Sequence, residues 1–229
     1  MVAYGQIIPE EILSLTKKGF INIHASLLPK WRGATPIQSS ILNGDIETGV
    51  SIIRMIENLD AGPIFISKKV QIRRDENHYN LSKRLSLISA EMINKHLESI
   101  IEGKIHPIAQ QDREASFCNK IIKSDGEINW SNSAIEIDRI VKAFNPWPIA
   151  YTYADKKYLR VWDSAAELES SLPGVCGEVI DEKQDGVLVK TGKGSLLIKS
   201  LQLEGKKKMP AIEFTKGFSL MGKTLGLKI

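Results

Sequence analysis

The sequence predicts two regions in series: an α/β sheet domain, then a small β-barrel. Three observations carry this reading. A strand, a helix and a strand follow one another over residues 2–24, an order that lays parallel strands side by side. Apolar residues then recur at helical spacing over 79–101, which makes one long amphipathic helix to cover a sheet face. Beyond residue 150 the chain turns to five short β-like runs separated by turns, the spacing of a barrel.

Each element has a local cause. Residues 2–5 form a short apolar run closed by Gly5, the end of a buried strand. Pro9 stands where a first helical residue belongs, and Glu10 and Glu11 suit the positive end of a helix dipole. Ile12, Leu13 and Leu15 supply an apolar stripe, and Lys17, Lys18 and Gly19 a last turn and stop. Over 20–24, Phe20, Asn22 and His24 point one way and Ile21 and Ile23 the other. Pro29, Gly33 and Pro36 make 25–36 a shaped loop. A short helix over 37–42, strands over 50–56 and 64–72, and a turn over 58–63 lead to the long helix. Periodicity stops after Gly103, so 1–103 reads as one domain, 104–118 as a linker and 119–229 as a second domain. In that second domain Ser133 and Glu136 make a capping box that opens a helix, and Asn145-Pro146 closes it. The five strands are expected over 150–153, 158–162, 177–180, 186–191 and 195–203.

Composition excludes several classes. At 229 residues, 42% hydrophobic and 25% charged, the chain is neither a disordered tail nor a fibre nor a low-complexity scaffold. No apolar run approaches the ~18 residues that span a bilayer, and the first eleven residues lack the basic and apolar regions of a signal peptide. Cys118 and Cys176 are too few for a disulfide framework and read as reduced thiols of a cytosolic protein. The formal net charge is only +4, but from Lys190 onward nine lysines face two glutamates. Such a tail is either a footprint for a polyanion or a solubilising surface.

The residues able to do chemistry are Asn22, His24 and Asp60. The first two share a face at the carboxyl end of a strand, and the third lies in the turn after the next strand. Sites in open α/β sheets gather outside the carboxyl ends of strands. An amide can donate to a developing oxyanion, an imidazole can move protons near neutral pH, and a carboxylate can orient that imidazole.

Around them the chain reads NIHASLLPKWRGATPIQ over 22–38 and GDIETGVSIIRMIENLDAG over 44–62. The N-x-H followed by S-L-L-P, the R-G-x-x-P-I, the G-D-x-x-T-G-V and the L-D-x-G closely resemble the 10-formyltetrahydrofolate-dependent formyltransferases. Residues 120–152 are similar to the branch of that family that acts on methionyl-tRNA. The resemblance runs from 1 to 229. It implies a partial Rossmann-like formyltransferase domain followed by an OB-type β-barrel that helps hold tRNA. It also implies formyl transfer from 10-formyltetrahydrofolate to the α-amino group of methionine on initiator tRNA. Asn22, His24 and Asp60 match the family's catalytic trio. Asn22 would stabilise the oxyanion, His24 would act in proton transfer and charge stabilisation, and Asp60 would hold and polarise His24. Ser26, Leu27, Leu28 and Pro29 match the folate-contacting loop. No metal is implied, because the leaving folate nitrogen needs a proton rather than a Lewis acid. A cytoplasmic, monomeric enzyme with no membrane partner is expected.

The resemblance departs at the front. Chains of the family carry an additional N-terminal stretch, with the first strands of the sheet and an insertion loop that engages the acceptor arm of tRNA. A doubly wound sheet normally opens with a βαβ half, and the difference is on the order of 80 residues at about 30 per unit. The sequence reads as an unusually small sheet or as the C-terminal portion of a longer ancestor. Two rival functions are formylation of an amino sugar nucleotide or other small amine by the same trio, and a non-catalytic remnant whose barrel binds nucleic acid. Other motifs fail. Gly192-Lys193-Gly194-Ser195 lacks the spacing of a P-loop, and no G-x-G-x-x-G, H-E-x-x-H, C-x-x-C or G-x-S-x-G is present. His78, His96 and His106 read as surface residues. Trp31 beside Arg32 reads as a stacking partner for a ligand or as a cover for the loop. Lys206, Lys207 and Lys208 read as a solvated turn or a phosphate contact.

Overall fold

A computed structural model describes residues 8–168 and 173–226. They belong to two units, 1–120 and 121–229. In the first, helix α1 (Glu10–Leu13) starts after Pro9 with both glutamates in its first turn. The sequence predicts a helix reaching residue 18, and the observed one is a single turn. Ile12 and Leu15 remain 45% and 77% exposed, so no buried stripe supports further turns. Strands β1 (Ile21–His24) and β2 (Arg32–Gly33), helix α2 (Pro36–Asn43), strands β3 (Glu47–Arg54) and β4 (Ile64–Gln71), helix α3 (His78–Ile101) and strand β5 (Phe117–Cys118) follow.

The sheet runs β1-β3-β4, and both pairs are antiparallel. The strand expected over 2–5, and with it the parallel pair, lies outside the described residues. β3 is the centre of the sheet, with Val50, Ile52 and Ile53 almost fully buried and α2 and α3 packed against it. Its unbroken run of buried residues, from Thr48 to Ile53, is that of a strand covered on both faces. It begins earlier than the sequence predicts because Thr48 and Gly49 already pair with Val70 and Lys69. In α3, Asn77 caps the N-terminus by accepting from the Asn80 N–H at 3.0 Å, and Leu81, Leu85, Met92 and Ile100 form the buried stripe. The segment expected as a linker, 104–118, is bonded to this first unit. Ile108 bridges Ile64, and β5 pairs in parallel with β2. Gly33 makes that pairing possible: its φ is +122°, and a Cβ there would stand 2.2 Å from the Cys118 carbonyl oxygen.

The second unit contains helix α4 (Ala134–Ala143), strands β6 (Ala150–Ala154), β7 (Lys157–Glu167), β8 (Val179–Lys183), β9 (Gly186–Lys190), β10 (Ser195–Leu203) and β11 (Met209–Pro210), and helix α5 (Ala211–Gly217). The capping box is formed: the Glu136 N–H donates to Ser133 Oγ at 3.3 Å, and the Ser133 N–H donates to the Glu136 carboxylate at 2.8 Å. All five predicted strands are present, in the order β6-β7-β10-β9-β8, with β11 added to β10. The expected barrel closure is not found. β6 and β8 end the path, and no strand pair among the described residues joins them. A closed barrel needs a ladder between first and last strands. Here single bridges, Glu127 to Tyr151 beside β6 and Glu178 to Thr224 beside β8, meet those edges instead. Ile137 and Val141 of α4 pack into a core with Leu159, Leu196, Ile198 and Leu201.

This packing orders two substitutions. Leu159→Ala empties a fully buried site and should destabilise the second unit by about 2–5 kcal/mol. Ser133→Ala removes the cap and should cost about 1 kcal/mol. Denaturant unfolding of the two variants checks the order.

Candidate active site

Three polar side chains meet at the carboxyl end of β1. Asn22 and His24 lie two residues apart on one face of that strand, opposite Ile53 and Ser51 of β3. The turn between β3 and β4 brings Asp60 to the same place. Asn22 Nδ2 donates to Asp60 Oδ1 at 3.4 Å, and His24 Nδ1 lies 3.5 Å from Asp60 Oδ2. His24 Nε2 lies 2.8 Å from the Trp31 carbonyl oxygen. Both neighbours of the imidazole are acceptors, so an imidazolium satisfies both and a neutral tautomer only one. The His24 and Asp60 side chains are 6% and 11% exposed, so water screens this pair little. The sequence-predicted trio is thus brought together.

The loop from β1 to α2 is held by its own bonds. Ser26 is fully buried and its hydroxyl donates to the Lys30 carbonyl at 2.6 Å. Ser51 Oγ donates to the Ser26 carbonyl and accepts from the Leu28 N–H. Leu28 is buried, while Leu27 and Pro29 are half-buried. Trp31 has a φ of +62°, and its indole Nε1 donates to Asp45 Oδ2 at 2.7 Å. The indole therefore braces the loop. Beside Asp60, a recess is lined by Ile53, Met55, Ile56, Glu57, Asn58 and Leu59. Gly62 lets the turn close on β3, since a Cβ there would fall 1.7 Å from the Arg54 carbonyl oxygen.

Sequence reading gave two members of this neighbourhood no place in the site. Arg32 is 5% exposed, and Gln110 comes from the segment expected as a linker. Arg32 donates to Gln110 Oε1 through Nε at 3.0 Å and Nη2 at 2.8 Å, and to Asp112 at 2.8 Å. Gln110 Nε2 donates at 2.7 Å to the carbonyls of both Asp60 and Gly62. Nothing in an aperiodic stretch marks one glutamine above its neighbours. The signal available was Arg32, a charged residue in a loop that folds inward and must therefore find partners. Of the other histidines, His106 is exposed, while His78 and His96 are half-buried rather than on the surface. Burial pushes the pKa of His78 down. Among the described residues no group of His, Cys, Asp and Glu is arranged to hold a metal ion, and no helix is long and apolar enough to cross a membrane.

Cys118 packs beneath the loop, its thiol within 3.5 Å of the Trp31 and Arg32 carbonyls, and accepts from the Thr35 N–H. Burial pushes its pKa up, whereas Cys176 is exposed. An alkylating reagent should therefore label Cys176 quickly and leave Cys118 intact until the protein unfolds, an order that mass spectrometry of the labelled chain reads directly.

Comparison with known proteins covers both units. The family described as formyl transferase matches residues 1–97, and the family described as formyl transferase, C-terminal domain, matches 120–219. A methionyl-tRNA formyltransferase of Hydrogenovibrio crunogenus is 41% identical over 226 residues, covering 99% of this chain and 72% of the relative. Its counterpart in Methylacidiphilum infernorum is 41% identical over 231 residues, covering 98% and 72%. Among solved structures, WlaRD, a sugar 3N-formyl transferase crystallised with dTDP and 5-N-formyl-THF, superposes with a TM-score of 0.70 at 21% identity, over 90% of this chain and 72% of that one. HypX from Aquifex aeolicus, in complex with tetrahydrofolic acid, gives 0.66 at 21% identity over 86% and 35%. At such identity these two structures speak for the fold. With the sequence matches spanning both units and the relatives matched over most of their length, the chain belongs to the formyl transferase family.

Proposed function

We propose that this protein transfers a formyl group from 10-formyltetrahydrofolate to the α-amino group of methionine on initiator tRNA. The observation that carries it is the meeting of Asn22, His24 and Asp60 at the end of β1, in a chain whose relatives at about 40% identity are named methionyl-tRNA formyltransferase. Bound folate supplies the formyl carbon at an oxidation level ready for transfer to an amine. The Asn22 amide has two hydrogens and shares one with Asp60. The other is available to the formyl oxygen, where negative charge grows as the new C–N bond forms. His24 faces Asp60 through Nδ1; its Nε2, which meets the Trp31 carbonyl in this structure, would exchange that carbonyl for the substrate, stabilise the growing charge and move the proton that the amine loses toward the departing folate nitrogen. Asp60 keeps the imidazole oriented through Nδ1.

The donor set suits a folate. The recess beside the trio joins the apolar Ile53, Met55, Ile56 and Leu59 to the polar Glu57 and Asn58, a mixed surface against which the edge of a flat ring can rest, and the Ser26–Pro29 loop borders the same strand end. We read the six-stranded sheet of the second unit, open between β6 and β8, as a partly open OB-type fold and as the platform for tRNA. Lys206, Lys207 and Lys208 support this, because they are exposed in the turn between β10 and β11. The Lys208 ammonium lies 4.9 Å from the Trp162 ring centroid, a contact that holds this cation in place at the turn. A monomer working in the cytoplasm, where charged tRNA is found, completes the reading.

Removing Asn22, His24 or Asp60 as alanine variants should lower kcat on the order of 10²–10³-fold with little change in KM, since their bonds strengthen in the transition state. The assay is formylation of initiator methionyl-tRNA by the intact protein. Near-normal turnover by His24→Ala would sink the assignment, and formylation of an amino sugar nucleotide in place of tRNA would redirect it.

Replacing Lys206, Lys207 and Lys208 together by alanine should flatten the plot of log affinity for tRNA against log salt by up to about 3, at roughly 0.7–0.9 per phosphate contact. Initiator and elongator tRNAs should weaken alike, because phosphate contacts position without reading sequence. An unchanged slope would return this turn to a solvated surface.

A further inference from the structure

We propose that Gln110 is a positioning residue for the transfer: it holds the Asp60 turn against His24 with an amide whose other end is fixed by Arg32. The inference rests on the formyl-transfer reading above. Asp60 has a φ of +49°, a left-handed conformation that is uncommon for a residue with a Cβ and that the short Asp side chain tolerates in a turn. Gln110 fixes that turn. It donates both Nε2 hydrogens, at 2.7 Å each, to the carbonyls of Asp60 and Gly62, gripping the turn on either side of Ala61.

The orientation of this amide is not arbitrary. Oε1 accepts two bonds from the Arg32 guanidinium, and a flipped amide would set its NH2 group against those donors. Arg32 also stands between the two main-chain groups that touch the site. The preceding residue, Trp31, presents its carbonyl to His24 Nε2. The following residue, Gly33, donates its N–H to Asp60 Oδ2 at 3.0 Å. One guanidinium–amide pair therefore couples the Asp60 turn to the loop that meets both the imidazole and the carboxylate. Gln110 touches neither His24 nor the Asp60 carboxylate among the bonds described, so its effect on the chemistry runs through the turn.

Gln110→Glu separates this role from that of a structural staple. A glutamate keeps the acceptor for Arg32 and removes both donors to the turn, placing a carboxylate oxygen against two carbonyls. The intact protein should stay folded. Its kcat should fall on the order of 10²-fold, the penalty of misplacing a catalytic group by about 1 Å, with KM for both substrates unchanged. In an Asp60→Ala background the same substitution should cost nothing further, because the two act through one contact. The His24 ring nitrogens, followed by 15N NMR, should shift in Gln110→Glu as they do in Asp60→Ala. Full kcat in Gln110→Glu, an additive loss in the double variant, or His24 resonances unmoved from the unsubstituted protein would each overturn the proposal. So would a Gln110→Glu protein that fails to fold, since that would make Gln110 a staple. Were the unsubstituted protein to formylate no tRNA, the proposed function would fall, and the His24 resonances alone would decide the case of Gln110.

Discussion

Asp60 Oδ2 accepts the Gly33 N–H at 3.0 Å while facing His24 Nδ1 at 3.5 Å, and the transfer proposed for the first unit depends on that shared oxygen. The carboxylate joins three parts of the chain distant in sequence: β1, the loop after it, and the turn between β3 and β4. With little water at the pair, the interaction between a carboxylate and a developing imidazolium is stronger than on a surface. The same dryness makes misplacement costly, because a carboxylate that moves leaves a buried ring with one acceptor instead of two.

A buried cation explains why the segment after α3 is attached to this unit. Arg32 is almost fully enclosed, and an enclosed charge without partners costs several kcal/mol. Its partners, Gln110 and Asp112, both come from 104–118. An aperiodic stretch lying past the last helix is thereby drawn onto the sheet, where β5 pairs with β2 and Ile108 with Ile64. The motif residues around the site have equally physical reasons to be there: Asp45 anchors the Trp31 indole, Pro36 opens α2, and Gly62 admits the Arg54 carbonyl.

The second unit is built on different grounds. Its stability lies in one apolar core shared by α4 and the sheet, and the lysines proposed to meet tRNA are carried outside that core. Tyr151, Tyr153 and Tyr158 pack ring to ring at the β6–β7 edge. The Tyr151 phenol, pushed up to about 12 by burial and by the Glu127 carboxylate, stays a donor to Glu127 across the physiological range. The cations that would meet phosphate stand in a turn, where their replacement leaves the core intact.

What the sequence determined by itself was local. Helical spacing located α3, the Ser133–Glu136 box placed the start of α4, and strand periodicity set Asn22 and His24 on one face, because each of these depends only on neighbours within a turn or a pleat. Motif spacing around Asp60 identified the family. Tertiary structure decided the rest. It reduced the first helix to one turn, since no core lay beneath Ile12 and Leu15. It ran the described sheet antiparallel, and it left β6 and β8 without a closing ladder. It also chose Gln110, one of two adjacent glutamines in a featureless stretch, as the partner of Arg32. Such choices belong to pairings across dozens of residues, where the deciding energies are burial of a charge and satisfaction of backbone carbonyls, and neither leaves a period in the chain.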